Sequence, residues 1–241
     1  MSENYETIKK FAEQSLGEMP KVIDYLFKLD ENAAEEQFNQ NQFLYLGRGN
    51  LPIKTRVLIA MSVALANGPM ESAMIHFKLA KRLSVDPLEI VDAMRATKMA
   101  LMSSTLDSLD LLINAFGPSV KTDKDKKEIN ETLQNLLKDS EIMPERIPKL
   151  SEFSVGLMKE HIREKKAMLK AVKLSTKEVY AVAFAVSASI RDRECEKVYL
   201  SQFIKNGGNR EEAEDILATV RFLVGNRAFV NGLEILKNMV H

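Results

Sequence analysis

His76 lies in the middle of the segment NGPMESAMIHFKLAKRL, residues 67–83, whose apolar residues recur at helical spacing. An imidazole changes its charge near neutral pH and can therefore donate or accept a proton in a reaction. A histidine in such a segment can also occupy the partly buried face of a helix and hydrogen-bond to a neighbour. Both interpretations, a catalytic histidine and a structural one, are open at this point.

Cys195 is the one cysteine of the chain. A single cysteine excludes an intramolecular disulfide, a CxxC redox pair and a zinc cluster built from thiolates. A lone cysteine is most often a small buried apolar residue. We therefore predict a reducing, cytoplasmic setting and a protein without a metal or a cofactor.

Charge balance limits the partners of this protein. The 241 residues contain 34 basic and 34 acidic side chains, so no net field attracts nucleic acid or an anionic membrane. The longest apolar runs, 57–66 and 179–190, are shorter than the roughly 20 residues of a membrane span. The basic stretch REKKAMLKAVK, 163–173, has no interleaved aromatic residues and is predicted to be the solvated face of a helix. A small molecule and further copies of the chain are the partners that we expect.

Apolar positions at spacings of three and four residues run through nearly the whole chain, and only ten glycines and seven prolines interrupt them. This pattern predicts an all-α protein. The segment 117–128 is rich in charges and is predicted to be a solvated connector. The predicted helices are 4–16, 20–46 with a break near 28–32, 53–67, 69–83, 87–115, 123–138, 147–172, 176–190, 192–206 and 210–238.

Two segments of the sequence resemble each other, one beginning at Leu51 and the other at Leu174, with a constant offset of 123. Each contains an Ala-rich helix, a short charged stretch, an amphipathic helix and the start of another helix. Asp86-Pro-Leu-Glu89 and Asn209-Arg-Glu-Glu212 both place an N-cap residue three positions before a glutamate that can reach back to it. The chain is therefore predicted to be a tandem duplication of one helical unit.

The central helix of each copy is predicted to be apolar on every face, with small residues that let neighbouring helices approach closely. These small residues are Ala60, Ser62, Ala64 and Ala66 in the first copy and Ala183, Ala185, Ser187 and Ala188 in the second. A helix without a polar face must be surrounded by protein. The surrounding helices must come from the other copy, from another subunit, or from both.

Residues of about 38–113 and 161–236 resemble the carboxymuconolactone decarboxylase and alkylhydroperoxidase D (AhpD-like) superfamily, most clearly from Leu51 to Ile90. Its signature positions hold Leu51, Lys54, Arg56, Leu58, Ile59, His76, Ala80, Glu89 and Ile90, with Ser84 where glycine is usual. The resemblance implies two AhpD-like repeats, 1–120 and 121–241, with the second degenerate. It also implies an oligomeric helical bundle, because single-copy members form hexameric rings that a two-copy chain would reproduce as a homotrimer.

The same resemblance assigns roles to individual residues. The two cysteines of peroxidase-type members fall on Pro69 and Ser72 in the first copy, and on Asp192 and Cys195 in the second. Dithiol peroxide reduction is therefore not expected. Decarboxylase-type members lack these cysteines, and they imply His76 and Glu71 as catalytic residues, with Arg56 binding a substrate carboxylate.

Other assignments remain open. Cys195, Tyr199 and Glu194 mark a possible degenerate second site, and Cys195 alone could support a peroxidase-related activity. Glu71 and Glu194 occupy equivalent positions, either as a shared acid or as first-turn charges that the helix dipole favours. The main alternative to a lyase-like enzyme is a non-catalytic, oligomeric ligand-binding protein in which both sites have decayed.

Overall fold

The computed structural model describes residues 3–68, 70–140 and 142–240, and every regular element in these ranges is a helix, which confirms the all-α fold. None of these helices is long and apolar enough to cross a membrane. The α-helices are α1 (Glu3–Ser15), α2 (Lys21–Leu29), α3 (Glu31–Asn41), α4 (Ile53–Asn67), α5 (Met70–Arg82), α6 (Pro87–Ser104), α7 (Leu109–Phe116), α8 (Asp123–Ser140), α9 (Arg146–Phe153), α10 (Val155–Met168), α11 (Thr176–Ser189), α12 (Arg193–Lys205), α13 (Arg210–Asn231) and α14 (Leu233–Val240).

Two of the long predicted helices are interrupted. The predicted helix 147–172 is divided at Ser154, whose backbone is extended and whose hydroxyl accepts a hydrogen bond from the N–H of Leu157. The predicted helix 210–238 is divided at Gly232, which separates α13 from α14. In both places the periodicity of the apolar residues continues across the break, so the pattern alone could not locate it.

The region after α6 also differs from its prediction. The predicted helix 87–115 ends at Ser104, and a 3₁₀ turn, Thr105–Ser108, leads into α7. The predicted connector 117–128 overlaps the predicted helix 123–138, and the structure confirms the start of the helix, since α8 begins at Asp123. Charged side chains are compatible with an exposed helix as well as with a loop, which is why their density did not mark the boundary.

The chain forms two compact units that do not follow the order of the sequence copies. Unit 1 contains the residues up to Ile90 and those from Asn209 onwards, and unit 2 contains Val91–Gly208. Unit 1 therefore combines α4 and α5 of the first copy with α13 of the second. The predicted division of the sequence at 120/121 remains a prediction about the repeats.

In unit 1 the central helix is α4, and every residue from Thr55 to Ala64 is buried. It packs against α5 and α13. This confirms that the all-round apolar helix is surrounded by protein, and one of its neighbours is supplied by the other copy.

In unit 2 the central helix is α11, which packs against α12. Most of its residues are buried, including Ala181, Val182 and Ala183. A second apolar cluster is built from α7 to α10, with Leu150 and Met158 at its centre. The buried residues of α11 and this cluster together form the core of unit 2.

The start of α4 is held by a buried carboxylate. Asp215 on α13 is fully buried and accepts hydrogen bonds of 2.8 Å from the backbone N–H groups of Asn50 and Leu51. Burial would raise the pKa of Asp215, but these N–H donors and Arg48 lower it below its usual value. The side chain therefore stays ionised and fixes the chain just before α4.

Asp92 does the same in unit 2, before α11. It accepts hydrogen bonds of 2.8, 2.7 and 3.1 Å from the N–H groups of Val172, Lys173 and Leu174. Asp92 and Asp215 are equivalent in the 123-residue repeat. Each copy thus supplies the aspartate that holds the central helix of the other copy.

The predicted helix starts are also found in both copies. Asp86 N–H donates to the Glu89 carboxylate at 2.8 Å, and Asn209 N–H donates to the Glu212 carboxylate at 3.2 Å. At the second start the Asn209 side chain also accepts from the N–H of Glu212, which completes a capping box. Local sequence therefore determined these boundaries.

Candidate functional site

His76 is buried on the inner face of α5, with 6% of its surface exposed. The buried residues of this helix recur at helical spacing and are Ser72, Ala73, His76, Leu79 and Ala80. The amphipathic pattern that predicted α5 therefore also places the imidazole inside unit 1. The histidine is an internal group with restricted access to water.

The imidazole of His76 contacts a tyrosine that the sequence analysis did not select. The Tyr45 hydroxyl lies 3.2 Å from Nδ1 of His76, and the two rings meet edge to face. Tyr45 is fully buried and its ring stacks on Phe222 of α13. Tyr45 belongs to a single π-helical turn, Gln42–Leu46. The hydrogen bond from Gly47 N–H to the carbonyl of Gln42 closes this turn.

Burial keeps this pair uncharged. It lowers the pKa of His76 to about 4, and it raises the pKa of Tyr45 far above the usual value. A buried hydroxyl without an acceptor is unfavourable, so the Tyr45 hydroxyl donates to Nδ1 and the ring proton resides on Nε2. Among the described residues, Nε2 of His76 has no hydrogen-bond partner.

Arg56 lies behind Tyr45 and is engaged by the backbone. Its guanidinium donates to the carbonyls of Arg48 and of Leu46, the latter at 3.4 Å, and it lies 3.8 Å from the Asp215 carboxylate. Burial lowers the pKa of Arg56, and Asp215 opposes that effect. These contacts hold the turn that joins the π-helical turn to α4, so Arg56 helps to position Tyr45.

The structure does not bring Glu71 to His76. Glu71 is exposed in the first turn of α5. Five residues separate it from His76, which places the two side chains roughly 140° apart around the helix. Of the three predicted site residues in unit 1, His76 and Arg56 both lie beside Tyr45, and Glu71 faces solvent.

The equivalent region of unit 2 is built around Arg146, which the sequence analysis also missed. Arg146 is buried and makes a two-pronged contact with Asp192, at 2.7 and 2.8 Å. It also forms ion pairs with Asp107 at 2.6 Å and with Glu194 at 2.9 Å. Burial would lower the pKa of Arg146, but Asp192 and its other anionic neighbours raise it. Glu194 therefore has an ionic partner here, whereas Glu71 is solvated.

Cys195 is buried beside this cluster, 3.5 Å from the Arg146 guanidinium. Burial, followed by the negative charge of Asp192, raises the pKa of Cys195 to about 12. The side chain is therefore a neutral thiol at physiological pH, and a thiol is a far weaker nucleophile than a thiolate. This geometry does not support peroxide reduction by Cys195 alone.

Tyr199 occupies the position that His76 has in the first copy and is fully buried. Its hydroxyl forms no hydrogen bond of normal geometry within the described residues. Burial raises the pKa of Tyr199 well above its usual value, an effect that the nearby Ser103 opposes. The ammonium of Lys165 lies 5.5 Å from the centre of its ring.

Tyr45 and Arg146 could not be found from the repeat. Tyr45 is 31 residues from His76, in the apolar run QFLYLG, where no spacing distinguishes it from a core residue. Arg146 is 46 residues from Asp192, in PERIPKL, which carries no motif. The aspartates Asp92 and Asp215 were visible as identities of the repeat, but their role required the structure.

Both the sequence and the fold are similar to those of known proteins. The model of the carboxymuconolactone decarboxylase family matches twice, over residues 33–106 and 161–238. The crystal structure of a putative gamma-carboxymuconolactone decarboxylase subunit from Burkholderia xenovorans LB400 superposes with a TM-score of 0.80 at 15% sequence identity. The match covers 98% of this chain and 96% of that one. No curated protein matches this sequence.

Proposed function

Because the chain belongs to the carboxymuconolactone decarboxylase family, we propose that its first copy decarboxylates a small lactone carboxylate, with His76 transferring the proton. The observation that carries this proposal is the neutral imidazole of His76, which is fixed at Nδ1 by Tyr45 and has no partner at Nε2 among the described residues. A fixed ring with one uncommitted nitrogen is the arrangement that general acid–base catalysis requires.

An anionic substrate would change the protonation of this imidazole. The pKa of His76 is lowered by burial, and a carboxylate placed near Nε2 would raise it again by favouring the imidazolium. Binding therefore takes up a proton. As carbon dioxide leaves, the electron pair of the broken C–C bond remains on the lactone as a carbanion, and Nε2–H protonates it. The imidazole is then neutral with its remaining proton on Nδ1, and proton exchange with water restores the Nε2–H form, so charge and protons balance.

Tyr45 suits this cycle because a hydroxyl can both donate and accept a hydrogen bond. It donates to Nδ1 of the neutral ring, and it accepts from Nδ1–H when the ring is protonated. Tyr45 and Arg56 are thus positioning residues in this proposal. The roles of Glu71 as a second acid and of Arg56 in binding the substrate carboxylate remain predictions.

The test measures carbon dioxide release from gamma-carboxymuconolactone, the compound in the name of the structural neighbour. We expect turnover by the unmodified protein and a loss of at least about 100-fold in His76→Gln, since proton transfer contributes roughly 10²–10⁴-fold. Tyr45→Phe should shift the pH profile of kcat, because it removes the group that stabilises the imidazolium.

Tyr199→Phe is the matched control, because it alters the equivalent position of the second copy. It should leave turnover unchanged. The proposal fails if the unmodified protein does not release carbon dioxide from this lactone, or if His76→Gln is as active as the unmodified protein.

A second candidate function is a non-catalytic ligand-binding protein. The observation that favours it is the enclosure of the pair, with 6% of His76 and none of Tyr45 exposed. A protein of this kind would give no turnover with the lactone, and its His76→Gln variant would bind the same ligands as the unmodified protein.

The homotrimer expected from the family resemblance is part of the same proposal, as is the cytoplasmic location. Large apolar side chains on unit 1 support association, since Phe43 is 74% exposed and Met70 62% exposed. Light scattering should give three times the mass of the chain, and a monomer over the whole concentration range would contradict the trimer.

A further inference from the structure

Unit 2 contains a cavity of about 400 Å³ that no part of the proposed function uses. Residues of α8, α9, α10, α11 and α12 line it, together with residues just before α9 and just after α10. The size is within the range of about 300–1,000 Å³ that is usual for small-molecule sites. Its apolar lining consists chiefly of Leu136, Ile147, Ile162, Leu169 and Val198.

The C-terminal part of α10 and the two residues after it supply both apolar and charged groups to this cavity. Ile162, Lys165 and Lys166 of α10 line it together with Leu169 and Lys170, which follow the helix. This is the basic stretch whose composition predicted a solvated helix face. Lys166 and Lys170 are exposed as predicted, but Lys165 is partly buried against the Tyr199 ring.

Within the described residues, none of the three lysines Lys165, Lys166 and Lys170 forms an ion pair with a carboxylate. Burial lowers the pKa of Lys165, because it disfavours the charged ammonium. A chain with as many acidic as basic side chains thus leaves three ammonium groups uncompensated around one apolar cavity.

We propose that this cavity binds an amphipathic organic anion, a carboxylate with an unbranched apolar body. The apolar walls would contact the body, and the lysines would pair with the carboxylate at the rim. Tyr180 and Gln202 also line the cavity, and their polar ends can hydrogen-bond to the second carboxylate oxygen. The site requires neither His76 nor lactone turnover.

The test is isothermal titration calorimetry of the full chain with decanoate, with decanol as the uncharged ligand of equal length. We expect decanoate to bind, and decanol to bind at least tenfold more weakly. In Lys166→Gln/Lys170→Gln the affinity for decanoate should fall by about tenfold, as expected for the loss of two partly exposed ion pairs, while that for decanol stays the same. Both lysines are exposed, so the double variant should keep its fold.

Three further variants show whether the ligand occupies this cavity. Lys98→Gln removes an exposed lysine of unit 2 that does not line the cavity, and it should not affect binding. Gln202→Phe fills the cavity and should weaken both ligands. His76→Gln should bind decanoate normally, so failure of the lactone reaction and failure of this site are distinguishable.

The proposal is overturned if decanoate does not bind, if decanol binds as tightly as decanoate, or if the double variant and Lys98→Gln behave alike. Retention of decanoate binding by Gln202→Phe would also overturn it, because the ligand would then lie elsewhere.

Discussion

The two copies share the aspartates that hold their central helices but differ at the position of the candidate histidine. In unit 1 the site position holds His76, an uncharged imidazole bonded to a buried tyrosine. In unit 2 the same position holds Tyr199, next to a buried arginine with three carboxylate partners. The aspartates that fix the central helices, Asp215 and Asp92, are the same in both.

The comparison shows that the aspartates are needed for the fold of both copies. Each copy supplies the aspartate that orders the chain before the central helix of the other, so loss of either one would leave backbone N–H groups and a basic side chain without their acceptor. His76 and Tyr199 occupy equivalent positions but make different contacts, a hydrogen bond to Tyr45 in the first copy and a contact of the Lys165 ammonium with the ring in the second.

The largest effect should come from the two aspartates. Asp215→Ala leaves Arg56, whose side chain is only 4% exposed, without its carboxylate, whereas Arg48 keeps Glu214 as a partner. An uncompensated buried charge costs about 3–5 kcal/mol. We therefore expect the free energy of unfolding to fall by this amount in urea denaturation, with loss of the structure before α4.

Asp92→Ala is the matched variant in the other copy and should be milder, at about 2 kcal/mol. Its basic partner is Arg95, whose side chain is 26% exposed and can be hydrated once the carboxylate is gone. Equal losses in the two variants would contradict the view that the burial of Arg56 makes the loss of Asp215 the more damaging of the two.

A smaller effect is expected in the pH dependence of the free energy of unfolding, which depends on one buried histidine in each unit. Burial lowers the pKa of both His76 and His161 to about 4, from 6.5. Between these values the unfolded chain binds more protons than the folded chain, so stability is complete above about pH 6.5 and is lost as the pH falls toward 4. Each histidine should contribute on the order of 3 kcal/mol, measured by urea denaturation at a series of pH values.

His76→Gln and His161→Gln should each remove about half of this dependence. The group in contact with His76 is Tyr45, whereas His161 faces Lys165 and Arg146, whose positive charges also lower its pKa. The ionised aspartates Asp92, Asp192 and Asp215 titrate below their usual values and therefore act below this window. An unchanged pH dependence in His76→Gln would mean that its imidazole is hydrated.

The sequence predicted those features that depend on neighbouring residues. The capping glutamates Glu89 and Glu212 lie three positions from their partners, so local spacing was sufficient to find the helix starts. The pairing of Tyr45 with His76 depends on a π-helical turn and on packing across 31 residues, which no local pattern encodes. The repeat also cannot reveal that α13 of the second copy, and not its counterpart in the first copy, packs on α4. The sequence would be the same whether each central helix packed on a helix of its own copy or of the other copy.

The smallest effect on stability should come from a turn that is formed by different residues in the two copies. Ser84 and Gly207 are equivalent in the repeat, and both have a left-handed backbone, with φ of +54° and +89°. This conformation costs a residue other than glycine about 1 kcal/mol, which explains the glycine usual at the Ser84 position in the family. Ser84→Gly should therefore stabilise the protein by roughly 0.5–1 kcal/mol, because the relief of backbone strain exceeds the freedom that the glycine gains in the unfolded chain.

Gly207→Ser is the reciprocal change and should destabilise by about 1 kcal/mol. No atom lies within 4 Å of a Cβ added at Gly207, so the loss would come from the backbone alone and not from a clash. Lys54 donates to the backbone carbonyl of Ser84, and this hydrogen bond survives the change to glycine. If Ser84→Gly lowered the midpoint of urea denaturation, the serine hydroxyl would have to stabilise the turn by more than the backbone strain costs.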